Sequence, residues 1–359
     1  MILNIGIVGC GKIADGHVEE IQKLPSARVV AVCDIEPILA EQLATRYSVP
    51  HWYTDFDRML SDHRLDVVHV TTPPHSHLSL AKKAAEAGCH VLVEKPLAMS
   101  LNEGRSLIEC VERAGRKMTI NHWYRFESPS LALNEFVARG ELGEPVHIES
   151  YCGYDLADGF GRALLSDDRH WVHRLPGKLF QNVLDHAIGK ITPFLPNEPL
   201  DIIARAYRRR PLGDDNSDEL MDELRVMFFA GRVSAYLTFS SHARPAGHFV
   251  RVYGTKNTVH ADYVLRTMSV ERTQTVPSAL GRLLPPFESG WKSLQQATRN
   301  TREFAGSRFH YFAGMNKLFS LFYQSILNDT PVPIPYREIL RVSEIMDEIS
   351  AQVYSPVAA

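Results

Sequence analysis

Leu3-Asn4-Ile5-Gly6-Ile7-Val8-Gly9-Cys10-Gly11-Lys12-Ile13-Ala14 is an apolar run that ends at a glycine pair and opens into a helical pattern. Such a run, bounded by glycine, reads as a buried parallel strand. Gly9, Gly11 and Ala14 fit the spacing G-x-G-x-x-G/A. The first glycine permits a tight turn and the second lets backbone approach a pyrophosphate. The small third residue lets helix pack on strand. The helix expected over Lys12–Leu24 would offer its first N–H groups, around Lys12 and Ile13, to the phosphates. The pattern gains weight from Asp34, which closes the next β-rich run 25 residues after Gly9. An acid at that place accepts hydrogen bonds from ribose hydroxyls and repels a 2′-phosphate. Ile35-Glu36-Pro37 bring no arginine or lysine to hold such a phosphate. The expected cofactor is therefore NAD rather than NADP.

Outward from this unit, strand and helix signals alternate. Strands are expected at Arg28–Cys33, His51–Tyr53, Asp66–Val70, Cys89–Val93 and Lys117–Ile120. Helices are expected at Pro37–Tyr47, from Asp55, at His77–Ala87 and at Ser100–Ala114, with Gly88 and Gly115 as stops. Repeated β-α-β units of this spacing imply a doubly wound parallel sheet with helices on both faces. After residue 122 the pattern changes. Val146–Cys152, Ile202–Arg209, Leu220–Phe229, Arg232–Phe239, Phe249–Tyr253 and Thr258–Tyr263 follow with few helices between them, and Phe229-Ala230-Gly231-Arg232 is a hairpin signal. Helices are expected at Ser130–Arg139, around Asn182–Phe194, at Ala313–Leu327 and at Tyr336–Val353. The expected fold class is α/β: an N-terminal Rossmann domain over 1–122, then an α+β domain over 123–359 with a large, open, mostly antiparallel sheet. The terminal helix, 336–353, is expected to pack back on the first domain.

Composition removes several function classes. The chain has 359 residues, with 39 basic against 42 acidic side chains and a net charge of −3. That balance provides no basic field for nucleic acid. The longest early apolar run is too short to span a bilayer, so neither a membrane helix nor a signal peptide is expected. Cys10, Cys33, Cys89, Cys110 and Cys152 are scattered, without a CxxC pair. They read as reduced thiols of a cytoplasmic protein rather than as disulfides or zinc ligands. His75 and His77 lack the further ligands that a metal needs, and no metal is expected.

Gly9–Ala14, Asp34, Thr71-Thr72-Pro73-Pro74 with His77, Glu94-Lys95-Pro96 after the fifth strand, and Tyr124-Arg125-Phe126 resemble the Gfo/Idh/MocA oxidoreductases, the group of glucose-fructose oxidoreductase and inositol dehydrogenase. The resemblance extends to Tyr253-Gly254-Thr255-Lys256 and Pro335-Tyr336-Arg337-Glu338. It implies a two-domain, NAD(P)-dependent enzyme that oxidises a secondary hydroxyl of a sugar, polyol or nucleotide sugar. It also implies a homodimer or homotetramer built on the open sheet. Gly9, Gly11, Lys12, Ile13, Asp34, Thr72, Pro73, His77, Glu94, Lys95 and Asn121 are its expected cofactor residues.

The family's Asp-xxx-His motif falls here on Asn182 and His186, so the usual carboxylate is replaced by an amide. Spacing i, i+4 puts both on one helix face, with Asp185 about 100° away. Oxidising a carbinol requires a base for the hydroxyl proton and a donor for the incipient alkoxide. His186 is the candidate base, Lys95 the candidate donor, and Asn182 can only orient, because an amide does not titrate. Tyr124, Arg125, Trp171 and Asp185 complete the expected substrate residues; a tryptophan face suits sugar stacking. Arg208-Arg209-Arg210 reads as a solvated strand end. The segment 277–305 is amphipathic and partly basic, and Pro285-Pro286 is expected to break its helix. It reads as an interface or lid segment, ahead of a membrane-surface role. Two other functions remain open: a redox-neutral enzyme that recycles bound NAD, and an NAD-binding regulator.

Overall fold

The apolar run Leu3–Val8 is strand β1 in the computed structural model, which describes residues 1–157, 159–167, 169–209, 220–272, 278–306, 309–310 and 312–354. Arg210 and Pro277 lie outside the described residues. Two units divide the chain: Met1–Trp123 with Phe312–Asp347, and Tyr124–Tyr311 with Glu348–Ala359.

The first unit continues with α1 (Lys12–Gln22), β2 (Ala27–Cys33), α2 (Pro37–Tyr47), β3 (His51–Tyr53), α3 (Phe56–Asp62), β4 (Val67–Val70), α4 (His77–Glu86), β5 (His90–Val93), α5 (Leu101–Arg113) and β6 (Met118–Ile120). The sheet order is β3-β2-β1-β4-β5-β6, and every pairing is parallel. The order reverses between β1 and β4, the switch point where ligands of doubly wound sheets bind. Local chemistry sets the helix starts. Asp55 accepts from the N–H groups of Asp57 and Arg58, Ser100 accepts from that of Glu103, and Pro37 opens α2.

The second unit holds α6 (Ser128–Ala138), β7 (Pro145–Gly153), α7 (Gly159–Ser166), α8 (Lys178–Val183), α9 (Asp185–Ile191), β8 (Asp201–Tyr207), β9 (Glu223–Ala230), β10 (Val233–Ser240), β11 (His248–Gly254), β12 (Asn257–Asp262), β13 (Thr267–Arg272) and α10 (Ser278–Ala305). Its sheet runs β13-β12-β11-β7-β10-β9-β8, antiparallel except for β7 with β10. Alternation sorts the two faces. Leu224, Val226 and Phe228 are buried, whereas Met227 and Phe229 on β9 and Ile203 and Tyr207 on β8 are exposed on the other face. Ser150 of β7 donates to the carbonyl of Ala187 at 3.1 Å, fixing α9 on the inner face.

Two expectations change, and two elements are added. The helix expected around Asn182–Phe194 is α8, then α9, then a 3-10 turn at Thr192–Phe194. The path starts at Lys178, which has positive φ, is irregular at Leu184 and tightens at Pro193, which has no N–H to donate. β13 and α7 had no expectation; β13 has the polar composition of an edge strand. Pro285 and Pro286 do not break α10, which runs through both. Leu283, Leu284 and Phe287 around them are exposed, so water can take the carbonyls that the prolines leave without donors. α10 caps the sheet edge: Met268 donates its N–H to Gln296 at 2.7 Å, and Gln296 donates to the Met268 carbonyl at 2.6 Å.

α11 (Ala313–Leu327) and α12 (Tyr336–Tyr354) follow. All of α11 lies in the first unit. Gly16 of α1 is small because the Phe312 ring fills the place of a side chain. Lys117 donates to the carbonyls of Ser325 and Thr330 and to Asp329, each at 2.8 Å.

Candidate active site

The turn between β1 and α1 is fixed from below. Gly9 has φ +97°, and a Cβ there would stand 2.7 Å from the backbone of Thr71 and Thr72. Thr71 donates its hydroxyl to the Gly9 carbonyl at 2.6 Å. Gly11 is the N-cap of α1 and has no side-chain cap. A Cβ on Gly11 would meet nothing within 4 Å, so open space lies before the uncapped helix terminus. Asp34 stands beside this turn. It accepts from the N–H of Cys10 at 2.6 Å and from that of Glu36 at 2.9 Å. Lys12 is exposed and Ile13 half-buried. An open helix terminus and a carboxylate fixed next to it fit NAD: the N–H groups suit the pyrophosphate and Asp34 the ribose.

The remaining first-unit candidates divide into open and enclosed residues. Thr72, Pro73 and Lys95 are half-buried. His77 is fully buried, and its two nitrogens lie 2.8 Å from the Thr72 carbonyl and 3.1 Å from the Leu97 carbonyl. It ties the Thr72 loop to the segment after Lys95 and has no surface for a ligand. Glu94 and Asn121 are also buried. Glu94 accepts from Asn121, from His17 at 2.8 Å and from the N–H of Lys95 at 3.2 Å. These three expected cofactor residues therefore hold the loops rather than face the open space. Glu94 precedes Lys95 at the end of a buried strand, where alternation turns one of the two inward.

In the second unit, Asn182 and Asp185 are buried, His186 is half-buried, and Arg125 and Trp171 are half-buried. Tyr124 is buried, which corrects its expected place among substrate-facing residues. Its ring meets the His186 ring edge-on at 4.8 Å. Gly189, one turn on, has no room for a side chain because the Tyr124 hydroxyl occupies it. Trp171 opens a 3-10 turn that ends at Arg174, with its ring 5.6 Å from that of His170.

One cluster was not foreseen. Lys190 lies one turn beyond His186, fully enclosed, and donates to Nε2 of His248 at 2.8 Å. Its ammonium sits 3.4 Å from the ring centre of Tyr263 and 5.7 Å from that of Tyr124. Burial pushes Lys190 down to about 7, against the pull of Glu127. Burial pushes Glu127 up to about 7, against Lys190 and Arg266. The sequence signal was a lysine inside the apolar run Ala187-Ile188-Gly189-Lys190-Ile191. His17 and His69 carry the same signal, a histidine on the buried face of α1 and one inside the buried strand β4.

Lys190 makes stability depend on pH. Between about pH 7 and the ordinary lysine value of 10.5, the unfolded chain binds a proton that the folded chain does not. Stability therefore rises with pH across that window. From pH 7 to 9, urea unfolding of the parent should gain on the order of 2 kcal/mol relative to Lys190→Met. Parallel pH profiles for the two proteins would count against the buried, depressed lysine.

Comparison with known proteins places this geometry. Residues 3–122 match the Gfo/Idh/MocA family model, described as an oxidoreductase family with an NAD-binding Rossmann fold. D-glucoside 3-dehydrogenase of Escherichia coli strain K12 is 34% identical over 143 residues, 40% of this chain and 41% of that protein. Inositol 2-dehydrogenase of Salmonella paratyphi B is 30% identical over 151 residues, 41% of this chain and 45% of that protein. The matched stretch thus spans less than half the length of these relatives. The WlbA dehydrogenase of Bordetella pertussis, solved with NADH and UDP-GlcNAcA, superposes with a TM-score of 0.79 at 17% identity, covering 98% of this chain and 95% of that one. At that identity the likeness shows the fold. Among the described residues no helix is long and apolar enough to cross a membrane. The match to the Gfo/Idh/MocA oxidoreductases thus covers the NAD-binding stretch, residues 3–122.

Proposed function

We propose that the chain is an NAD-dependent dehydrogenase that moves a hydride between the nicotinamide and a secondary hydroxyl, or its ketone, of a sugar, polyol or nucleotide sugar. The observation that carries this reading is the open, uncapped α1 terminus beside Asp34, in a sheet whose fifth strand ends in Glu94-Lys95-Pro96. The names of the relatives, a glucoside dehydrogenase and an inositol dehydrogenase, support the substrate class. When bound, NAD supplies the hydride acceptor. Lys95 donates a hydrogen bond to the reacting oxygen and steadies its developing charge. His186 takes the hydroxyl proton, and the Tyr124 ring holds its imidazole edge-on. Asn182 orients. Arg125 and Trp171 are the half-buried groups proposed to meet the substrate. Screening sugars, inositols and nucleotide sugars for NADH absorbance tests the reaction. Free cysteines and this cofactor suit a reducing, cytoplasmic setting.

Three outcomes follow. Asp34 makes NAD bind more tightly than NADP, and Ile35 is 85% exposed, so an arginine there has room to meet a 2′-phosphate. Asp34→Ser with Ile35→Arg should invert the preference in a fluorescence titration. Equal dissociation constants in the parent would sink the idea.

Lys95→Met and His186→Ala should each lower kcat by roughly 10²–10⁴-fold with NAD affinity little changed. The double variant should fall well short of the product of the two losses. Asn182→Asp should keep turnover and shift its pH optimum. The Asn182 replacement is the feature that favours a regulator. Turnover of Lys95→Met within a few-fold of the parent, on a verified substrate, would move that reading ahead.

We also propose a dimer or tetramer through the sheet face that carries Ile203, Tyr207, Met227 and Phe229, which α10 leaves exposed. Light scattering at micromolar concentration should give at least twice the mass of one chain; a monomer would refute it.

A further inference from the structure

Four polar side chains lie end to end inside the first unit. Tyr323 Oη is 2.8 Å from His69 Nε2, His69 Nδ1 is 2.8 Å from His17 Nδ1, and His17 Nε2 is 2.8 Å from Glu94 Oε1. Tyr323, His69 and His17 are completely buried and Glu94 nearly so. They come from α11, β4, α1 and the end of β5. Phe319, one turn before Tyr323, packs on both imidazoles, with ring centres at 5.1 and 4.8 Å.

Proton accounting gives this chain a direction. A neutral imidazole has one donor nitrogen and one acceptor nitrogen. Glu94 receives Asn121 on the oxygen that faces His17 and the N–H of Lys95 on the other. Both contacts use acceptor oxygens, as an ionised carboxyl provides. Burial would raise its pKa, but the bonds from His17 and Asn121 outweigh that and hold it below the usual range. His17 then donates from Nε2 and accepts at Nδ1. His69 must donate from Nδ1 and accept at Nε2, which leaves the Tyr323 hydroxyl as donor. Burial keeps His69 neutral and Tyr323 protonated, as this direction requires. Reversing the His69 and Tyr323 bonds would need a proton on Glu94, or an imidazolium at His17 that donates from both nitrogens.

We propose that Tyr323, His69 and His17 are positioning residues: their one-way hydrogen-bond chain locks the Glu94 carboxylate, and through it the backbone of Lys95, at the carboxyl end of β5. His17 also sits on the helix whose N-terminus fits the pyrophosphate, so one imidazole ties both ends of the cofactor site together. The consequence for turnover rests on the role proposed for Lys95; the hydrogen-bond chain itself does not.

The test uses the full chain labelled with 15N-histidine for the rings and with 15N-lysine for the Lys95 amide. Long-range 1H–15N spectra of the parent at pH 8 read the tautomers, with His69→Phe assigning the signals. The expected result is His17 protonated at Nε2 and His69 at Nδ1, both neutral. A His69 protonated at Nε2, or an imidazolium at either place, overturns the proposal. Tyr323→Phe removes only the hydroxyl. It should move the backbone amide resonance of Lys95 and lower kcat by roughly 3- to 30-fold, less than the 10²-fold of a full 1 Å misplacement. NAD affinity should stay within about twofold, since the groups that fit the pyrophosphate and ribose are untouched. An unmoved Lys95 amide, or unchanged turnover in a folded variant, overturns the positioning role. If no substrate is turned over by the parent, the tautomers and the Lys95 amide still decide the proposal, and only the dehydrogenase reading fails.

Discussion

Glu94 carries a carboxylate into the interior at the point where β5 ends. Burying a charge there is costly unless its oxygens are filled by donors. His17 from α1, Asn121 from the end of β6 and the N–H of Lys95 fill them. Each donor brings its own element to a fixed place. α1 must present His17 on its inner face, and His69 must sit on β4 opposite it. Tyr323 must then reach β4 from α11, nearly 200 residues after the end of β6. The first unit is thus completed by a late segment, and Lys117, with three contacts to the end of α11, anchors that segment again.

The second unit meets the same problem with the opposite charge and with weaker partners. Lys190 has an imidazole, two aromatic faces and a carboxylate that is itself poorly hydrated. A buried cation so partnered sheds its proton easily, whereas Glu94, with donors on both oxygens, stays ionised. Position decides what each arrangement can do. Glu94 adjoins the candidate donor Lys95 along the backbone. Lys190 lies one helical turn from the candidate base His186, with Tyr124 touching both rings or charges.

Among the cofactor candidates, those that stayed exposed or half-buried are Gly11, the first turn of α1, Asp34, the Thr72 loop and Lys95. Residues identified by side-chain type at the same motifs, His77, Glu94 and Asn121, turned inward. A motif marks where a loop must hold one shape, and His77, Glu94 and Asn121 hold it by filling their own hydrogen bonds inside.

The strand–helix alternation of the first 120 residues was legible because each element is short, apolar and closed by glycine, proline or a capping side chain. Element bounds such as Leu3–Val8, Pro37–Tyr47 and His51–Tyr53 follow from those local rules. The sequence by itself also determined the glycine turn and the acid at position 34, since spacing along one β-α-β unit specifies both, and the lysine after the fifth strand, which follows the end of a short apolar run. Tertiary structure decided the rest. It broke the Asn182–His186 helix at Leu184, carried α10 through Pro285 and Pro286, and added β13 at the sheet edge. It also brought Tyr323 to His69, a contact between residues 254 positions apart. Local patterns record what a residue's neighbours in the chain require of it; which buried donor meets which buried acceptor depends on elements that the chain delivers much later.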